Sequence, residues 1–238
     1  LLGAGTCVGH PVQGAQVRII RITDAPIPTW SDDFFAHEGQ VGEICVTGPA
    51  VTREYFNLPR ANAISKIKDS ATTWHRIGDV GYFDELGRLW FCGRKAHRIQ
   101  TPDGTLFTEC IEPIFNQHPA VARCALVGVG PPGQQSPVLV VELKPGHPRR
   151  GPRASVLAAD ILALANTANR QSTIDNRQYP LSEPRAQATG GSNQPLEIAN
   201  QQFALFKSQI SNLKSSIDNR QSTILFHPSL PVDIRHNA

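Results

Sequence analysis

Residues 74–94 read WHRIGDVGYFDELGRLWFCGR, and this stretch decides how the rest of the chain is interpreted. Two apolar and aromatic runs flank a turn at 84–87, which predicts a β-hairpin with Gly87 at a positive φ. Asp79 precedes the hairpin in a glycine-flanked turn, and Arg94 follows its far end. A carboxylate held there could accept charge-assisted hydrogen bonds from two neighbouring hydroxyls, such as those of a ribose. A turn-stabilising Asp and a surface Arg would give the same pattern, so both interpretations stay open.

Length and composition limit the possible classes of protein. The 238 residues suit one large domain or two small ones, and a net charge of +3 without a Lys/Arg run argues against nucleic-acid binding. No apolar run reaches the roughly 18 residues of a transmembrane segment, and no signal peptide is visible. Five cysteines at no metal-ligand spacing favour a reduced, cytoplasmic protein with buried thiols. Because the sequence opens with Leu1 and contains no Met, we expect it to be part of a longer protein.

The residues before the hairpin predict mainly strands. β-Branched runs favour strands at 15–22 and 42–47, and the proline-containing segment 23–40 between them is interpreted as a surface loop. Residues 59–68 are expected to form a short helix with Pro59 in its first turn.

The residues after Arg94 predict a small α+β unit. Pro102-Asp103-Gly104 indicates a second hairpin turn, and Thr108 is the expected N-cap of a helix that Pro113 would shorten or kink. The other predicted elements are strands at 124–129 and 138–143 and a helix at 154–165. Residues 128–133 match GxGxxG after a strand, but Pro131 and Pro132 oppose the helix that a dinucleotide site requires, so a loop is expected.

Residues 166–222 differ from their surroundings and are interpreted as an insertion. They are rich in Asn, Gln and Ser, and the pentapeptide IDNRQ at 174–178 recurs at 217–221. Alternating spacings of three and four predict one amphipathic helix near 195–213. Since loop-closure entropy grows only logarithmically with length, we expect a mostly irregular insertion outside the core, which could be deleted without loss of stability. Strand character returns at 223–226.

Three motifs resemble those of the acyl-adenylating superfamily, which includes acyl-CoA synthetases, luciferases and adenylation domains. The segment that opens GEICVTG at Gly42 and reaches Asn57 resembles GE(I/L)xxxGxxVxxGY(x)N. HRIGD at 75–79 resembles (Y/H)RTGD, with Ile77 in place of the usual Thr, and GRK at 93–95 resembles GRx(D/K). Within the superfamily, segments such as WHRIGDVGYFD and FHPSLPVDIRHNA look most like olefin β-lactone synthetases. The resemblance extends over 1–165 and 223–238.

The resemblance implies a role for each of several residues. Asp79 would hold the ribose hydroxyls, Arg94 would contact the ribose and the phosphate side, and Phe91 would pack near the adenine. The interdomain hinge would be Ala96, where many relatives have Asp or Lys, so it is open how closely this chain follows the usual domain rotation. The catalytic Lys would lie just beyond Ala238, and no residue is assigned to a metal.

The implied fold is α+β, the C-terminal part of a two-domain adenylate-forming enzyme. Residues 1–92 would be the β-rich end of the large domain, and 93–165 the small α+β C-terminal domain. The insertion 166–222 would interrupt that small domain, and 223–238 would return to it.

The implied activity is ATP-dependent acyl adenylation, with Mg²⁺ inferred from the family only. In an olefin β-lactone synthetase, a 3-hydroxy acid and ATP would give a β-lactone, AMP and pyrophosphate. The implied partners are a long-chain 3-hydroxy or fatty acid substrate and other enzymes of olefin biosynthesis. Residues 101–104 depart from the Gly-Gly or Arg-Gly turn of CoA-using relatives, which favours the lactone over a long-chain fatty acyl-CoA ligase, the alternative. An alternative of another class is an inactive, truncated or interrupted gene product that binds nucleotide weakly at most.

Overall fold

The computed structural model of the chain describes residues 2–37, 39–171, 194–215 and 224–230. These residues form two compact units. The first unit contains 4–96 and 194–198, and the second contains 2–3, 97–171, 199–215 and 224–230. Between residues 4 and 171, the chain passes from the first unit to the second directly after Ala96. This boundary lies four residues beyond the predicted one at 92. It coincides with the position that the resemblance assigns to the hinge.

The first unit is built on one antiparallel sheet of six strands. Its strands are β1 (Thr6–Gly9), β2 (Gln16–Ile20), β3 (Gly42–Thr47), β4 (Lys66–Asp69), β5 (Thr72–Phe83) and β6 (Leu89–Arg94). Their order is β1-β6-β5-β3-β2, and β4 also pairs with β5. The predicted β5–β6 hairpin is confirmed. Gly87 adopts a φ of 72° in its turn, and the Asp84 carboxylate accepts hydrogen bonds from the backbone amides of Leu86 and Arg88.

Helix α1 (Pro59–Ser65) is shorter than the predicted 59–68. Residues Lys66–Asp69 form β4 instead, because they pair with Thr72–His75 across a tight turn in which Ser70 has a φ of 51°. That pairing is a tertiary constraint, and it overrides the local helical preference of the segment. The loop predicted at 23–40 contains one 3-10 turn, Asp32–Phe34.

One apolar core cluster of the first unit joins its sheet to the 23–40 loop. Buried side chains of Ile20, Ile27, Cys45, Ile67 and Trp74 form this core. Beside it, the Arg18 guanidinium lies over two neighbouring indoles, 4.4 Å from the Trp30 ring centroid and 4.1 Å from that of Trp74. The cation–π contacts attach strand β2 to the loop and to β5.

The second unit packs helices against a three-stranded sheet. Its elements are β7 (Ile99–Thr101), β8 (Gly104–Leu106), α2 (Thr108–Phe115), β9 (Val121–Val129), β10 (Ser136–Leu143), α3 (Pro152–Gln171), α4 (Gln194–Ser215, from residue 199 onward) and β11 (Ile224–His227). β10 is central, antiparallel to β9 and parallel to β11. β7 and β8 form the predicted second hairpin, and 128–133 is the predicted loop, between β9 and β10.

The start of α2 differs from the prediction. Phe107 occupies the N-cap position and Thr108 is already helical, so the expectation that Thr108 caps the helix is wrong. Pro113 lies inside α2 without ending it. No described helix is both long and apolar enough to cross a membrane.

Helix α4 corrects the prediction that all of 166–222 lies outside the core. A helix near 195–213 is confirmed, but Phe206 is fully buried in the main core of the second unit, with its ring centroid 5.5 Å from that of Phe115. Gln202 adds two hydrogen bonds, accepting from the Phe107 amide at 2.9 Å and donating to the Thr105 carbonyl at 3.0 Å. Residues 166–171 are also helical, as the end of α3, whereas 172–193 and 216–223 lie outside the described residues.

Replacing Phe206 by Ala should destabilise the second unit by about 3–5 kcal/mol, because the change removes a fully buried aromatic ring and leaves a cavity. Urea unfolding measures this loss. Val156→Ala on α3 is the control, since that side chain is 71% exposed and the change should cost less than about 0.5 kcal/mol. Equal stability of the two variants would show that α4 does not complete the core.

Candidate functional site

Asp79 lies in a bulge within strand β5, and not in a turn before the hairpin as the sequence suggested. On strand β3, Cys45 pairs with Arg76 of β5, and Glu43, two residues away, pairs with Val80. Val80 is four residues from Arg76, so β5 has two extra residues over this interval. The surplus residues include Gly78, whose φ of 77° is in the left-handed region. Bulges redirect side chains and occur frequently beside active sites. Gly78 therefore provides the backbone conformation that the bulge requires, and Asp79 lies at its edge.

Arg94 is the cross-strand neighbour of Asp79. The β5–β6 register pairs the two residues, and Arg94 Nη1 lies 2.9 Å from Asp79 Oδ1. The side chains are 44% and 20% exposed, respectively. Asp79 Oδ1 itself is buried and has no well-aligned hydrogen-bond donor among the described residues, so the contact is an ion pair. The structure thus brings together the two residues on which the nucleotide hypothesis depends.

The environment of Asp79 disfavours its ionised form. Burial raises the pKa of the Asp79 carboxyl above its ordinary value of 3.8, and the Arg94 charge offsets only part of this effect. A carboxylate that is costly to bury is not optimal for stability, and such groups are concentrated at functional sites.

Phe91 and Ala96 have different surroundings. Phe91 is partly buried on β6, opposite Gly81 on β5 and Thr6 on β1. Gly81 is two residues from Asp79 along β5. Ala96 is exposed within the 3-10 turn Lys95–His97 that follows β6. Packing of Phe91 near adenine and hinge motion at Ala96 stay predictions.

A buried ion cluster of three residues was not predicted. Glu43 Oε2 lies 2.8 Å from Arg76 Nη2, and Glu43 Oε1 lies 2.9 Å from Lys95 Nζ. The Glu43 and Arg76 side chains are each 1% exposed, and that of Lys95 is 12% exposed. Each of the three motifs supplies one member. A charged residue within the otherwise apolar run 41–46 was the available sequence signal for Glu43.

A second polar cluster surrounds Tyr55, which also belongs to the first motif. Its hydroxyl is 3.0 Å from His75 Nε2, and Lys66 Nζ donates to the Thr52 carbonyl oxygen at 2.6 Å. Burial and the Lys66 charge lower the pKa of His75. Tyr55 and His75 therefore join the loop of the first motif to strand β5.

The cysteines and the metal-ligand residue types indicate no further chemistry. All five cysteines lie in the described part of the chain and form no disulfide; four are buried, as expected, and Cys7 is exposed. Burial, followed by the Glu43 charge, raises the pKa of Cys45 to about 12, so this thiol is unreactive near neutral pH. Within the described ranges, no group of three or more His, Cys, Asp or Glu side chains could hold a metal ion.

Comparison with known sequences identifies relatives over part of the chain. Over 149 residues the chain is 58% identical to an olefin beta-lactone synthetase from Xanthomonas campestris pv. campestris, which covers 60% of the chain and 27% of that protein. A second olefin beta-lactone synthetase, from Stenotrophomonas maltophilia, is 48% identical over 184 residues, or 75% of the chain and 33% of the relative. The chain is similar to part of an olefin beta-lactone synthetase. It spans about a third or less of the length of these relatives. No family model matches it.

Solved structures support the fold. Amide bond synthetase McbA from Marinactinospora thermotolerans superimposes with a TM-score of 0.54 at 22% identity, over 95% of this chain and 33% of that one. O-succinylbenzoate coenzyme A synthetase from Bacillus subtilis, solved with ATP and magnesium ion, has a TM-score of 0.50 at 25% identity, over 66% of this chain and 30% of that one. The predicted α+β fold, similar to the C-terminal part of adenylate-forming enzymes, is confirmed.

Replacing Asp79 by Asn should leave stability at pH 7 unchanged or increase it. Because the folded-state pKa of Asp79 is raised, its ionised form opposes folding above that pKa, and the penalty disappears as the pH falls to 3.8. Urea unfolding should give the Asp79→Asn variant a higher free energy of unfolding than the wild type at pH 7. The difference should decrease as the pH is lowered. Arg94→Met is the control and should lower stability at pH 7, since it removes the offsetting charge. A loss in Asp79→Asn that vanishes at low pH would contradict the prediction.

Proposed function

We propose that this chain supplies the ribose-binding part of the ATP site in an olefin β-lactone synthetase. The proposed reaction converts a long-chain 3-hydroxy acid and ATP into a β-lactone, AMP and pyrophosphate. The observation that carries the proposal is the Asp79–Arg94 ion pair at the bulge of β5, 2.9 Å apart and partly exposed. The 58% identity to an olefin beta-lactone synthetase over 149 residues supports the choice of reaction.

The chemistry of the pair suits a nucleotide. A carboxylate has two oxygens with about four acceptor positions, so Asp79 can accept from vicinal ribose hydroxyls while one oxygen faces Arg94. The guanidinium has five N–H donors in a fixed fork, and Arg94 is 44% exposed, so donors remain for the ribose and a phosphate oxygen. Phe91 on the neighbouring strand is proposed to pack near the adenine.

The described residues do not include a Mg²⁺ site of their own. They contain no group of three potential ligands, and the Asp79 carboxylate is already paired with Arg94. The magnesium ion of the Bacillus subtilis structure accompanies ATP. We therefore assign no side chain of this chain to Mg²⁺.

The proposed reaction has two steps that balance without an external redox reagent. A carboxylate oxygen of the acid attacks the α-phosphorus of ATP, and pyrophosphate leaves with the electron pair of the broken P–O bond. The β-hydroxyl oxygen of the resulting acyl-AMP then attacks the acyl carbon, loses its proton and releases AMP as the ring closes. Negative charge develops on the phosphate in the first step, where a nearby cation such as Arg94 is most effective.

Asp79→Ala should weaken binding of AMP and ATP by roughly 2–5 kcal/mol, because it removes two hydrogen bonds to ribose from a charged acceptor. Calorimetry on protein that carries the whole chain measures the change. Glu85→Ala is the matched control, since Glu85 is an exposed carboxylate at the opposite end of the same hairpin and should not affect affinity. An affinity within about tenfold of wild type in Asp79→Ala would remove Asp79 from the site.

The reaction class is tested by product analysis. Protein that carries the chain, given a long-chain 3-hydroxy acid and ATP, should release AMP and form β-lactone without CoA. Strict dependence on CoA would assign the activity to a long-chain fatty acyl-CoA ligase. Absence of AMP release with and without CoA would favour the inactive gene product. The corresponding fatty acid without a 3-hydroxyl is the control, because it can be adenylated but cannot close a lactone ring.

A further inference from the structure

We propose that Glu43 is a positioning residue that holds the β5 bulge and the end of β6 in the geometry that pairs Asp79 with Arg94. The inference rests on the proposed function only in what the pair binds. The arrangement itself is argued from contacts within the first unit.

Glu43 contacts both ends of the bulge that carries Asp79. Its backbone is the register partner of Val80, directly after Asp79, while its side chain pairs with Arg76, three residues before Asp79. The register between β3 and β5 shifts between these two points. A single residue on β3 therefore connects the two ends of the irregular segment, at 2.8 Å on the Arg76 side.

The second carboxylate oxygen of Glu43 contacts the residue that directly follows β6. Glu43 Oε1 lies 2.9 Å from Lys95 Nζ, and Lys95 directly follows Arg94. Lys95 also donates to the Thr23 carbonyl oxygen at 3.0 Å. β6 ends at Arg94 and Lys95 begins the 3-10 turn that follows, so the Arg94 side chain is 44% exposed while that of Lys95 is only 12% exposed. Glu43 thus fixes the backbone on both sides of the Asp79–Arg94 pair, and Lys95 functions as an anchor and not as a phosphate ligand.

Burial makes this arrangement specific. Glu43 and Arg76 are each 1% exposed in their side chains, so neither can take another rotamer without breaking a buried ion pair. Arg76 also donates to the Ala25 carbonyl oxygen at 2.8 Å. Arg76 and Lys95 each pair with Glu43 of β3 and donate to a backbone carbonyl in the 23–25 segment. These contacts connect that segment to β3, β5 and the end of β6.

The turn end of the hairpin is fixed in a separate way, which provides a matched control. The Asp84 side chain is 3% exposed and lies 2.8 Å from Arg88 Nε, and it accepts a hydrogen bond from Trp90 Nε1 at 2.8 Å. Glu43 and Asp84 are both buried carboxylates that hold strands β5 and β6. They act at opposite ends of the hairpin.

The test compares Glu43→Gln with Asp84→Asn by residue-resolved amide hydrogen exchange in the whole chain. Glu43→Gln should accelerate exchange at 79–80 and 93–94 by about tenfold more than at 83 and 89, and Asp84→Asn should show the opposite distribution. Under conditions where both variants are folded, Glu43→Gln should also weaken AMP binding by about tenfold, while Asp84→Asn should not.

Variants of Lys95 keep the proposal testable if Glu43→Gln fails to fold. Lys95→Met should reproduce the local exchange and the loss of AMP affinity, whereas Lys95→Arg, which preserves the cation, should restore both. A Glu43→Gln/Lys95→Met double variant should be less affected than the sum of its single changes, because the two residues act through one contact.

Two outcomes distinguish failure of the positioning proposal from failure of the proposed nucleotide function. If Lys95→Met or Glu43→Gln changes exchange uniformly along the hairpin, Glu43 contributes only to stability and the positioning proposal is wrong. If the wild-type chain binds neither AMP nor ATP while the exchange effects are local, the proposed nucleotide function fails but the positioning role of Glu43 stands.

Discussion

The first unit depends on one buried carboxylate, Glu43, that pairs with two cations, Arg76 and Lys95. Removing three charged groups from water costs several kcal/mol for each group, and their pairing and hydrogen bonds to backbone carbonyls offset that cost. The net gain in stability from such a cluster is small. Its consequence is geometric, since Glu43 reaches both Arg76 and Lys95 in this alignment of β3, β5 and β6. The strand register, the bulge and the partly exposed Asp79–Arg94 pair all depend on this alignment.

The second unit is held together differently, by apolar packing. Its central strand β10 is flanked by β9 and β11, and the core beneath the sheet includes side chains from α2, α3 and α4. Phe206 of α4 is fully buried beside Phe115 of α2. An insertion that supplies a core residue is part of the folded unit, whatever its origin, because the cavity left by removing that residue would be unfavourable. A polar composition around an amphipathic helix therefore says little about whether its apolar stripe is needed.

Local rules predicted the elements whose geometry is local. Gly87 could be placed at a positive φ because the turn between two apolar runs demands it, and the 3.6-residue spacing of apolar side chains was sufficient to locate α4. The bulge at Asp79 could not be located in this way, because it is defined by a mismatch in pairing with β3, more than thirty residues earlier. Likewise, β4 was mistaken for the end of a helix, since its strand conformation comes from pairing with β5.

The candidate site shows the same division. The motif resemblance identified Asp79 and Arg94, but it did not show why their motifs occur together with GE at 42–43. In the structure each motif also supplies one charge to the buried cluster: Glu43 from the first, Arg76 from the second and Lys95 from the third. Arg94 ends β6 and is largely exposed, and the adjacent Lys95 begins the next turn and pairs with Glu43 in the interior. Arg76 and Asp79 are separated by the bulge. The spacing within the second and third motifs thus couples an interior charge to a partly exposed one. The three motifs are structurally linked because the interior charge of the first, Glu43, pairs with those of the other two.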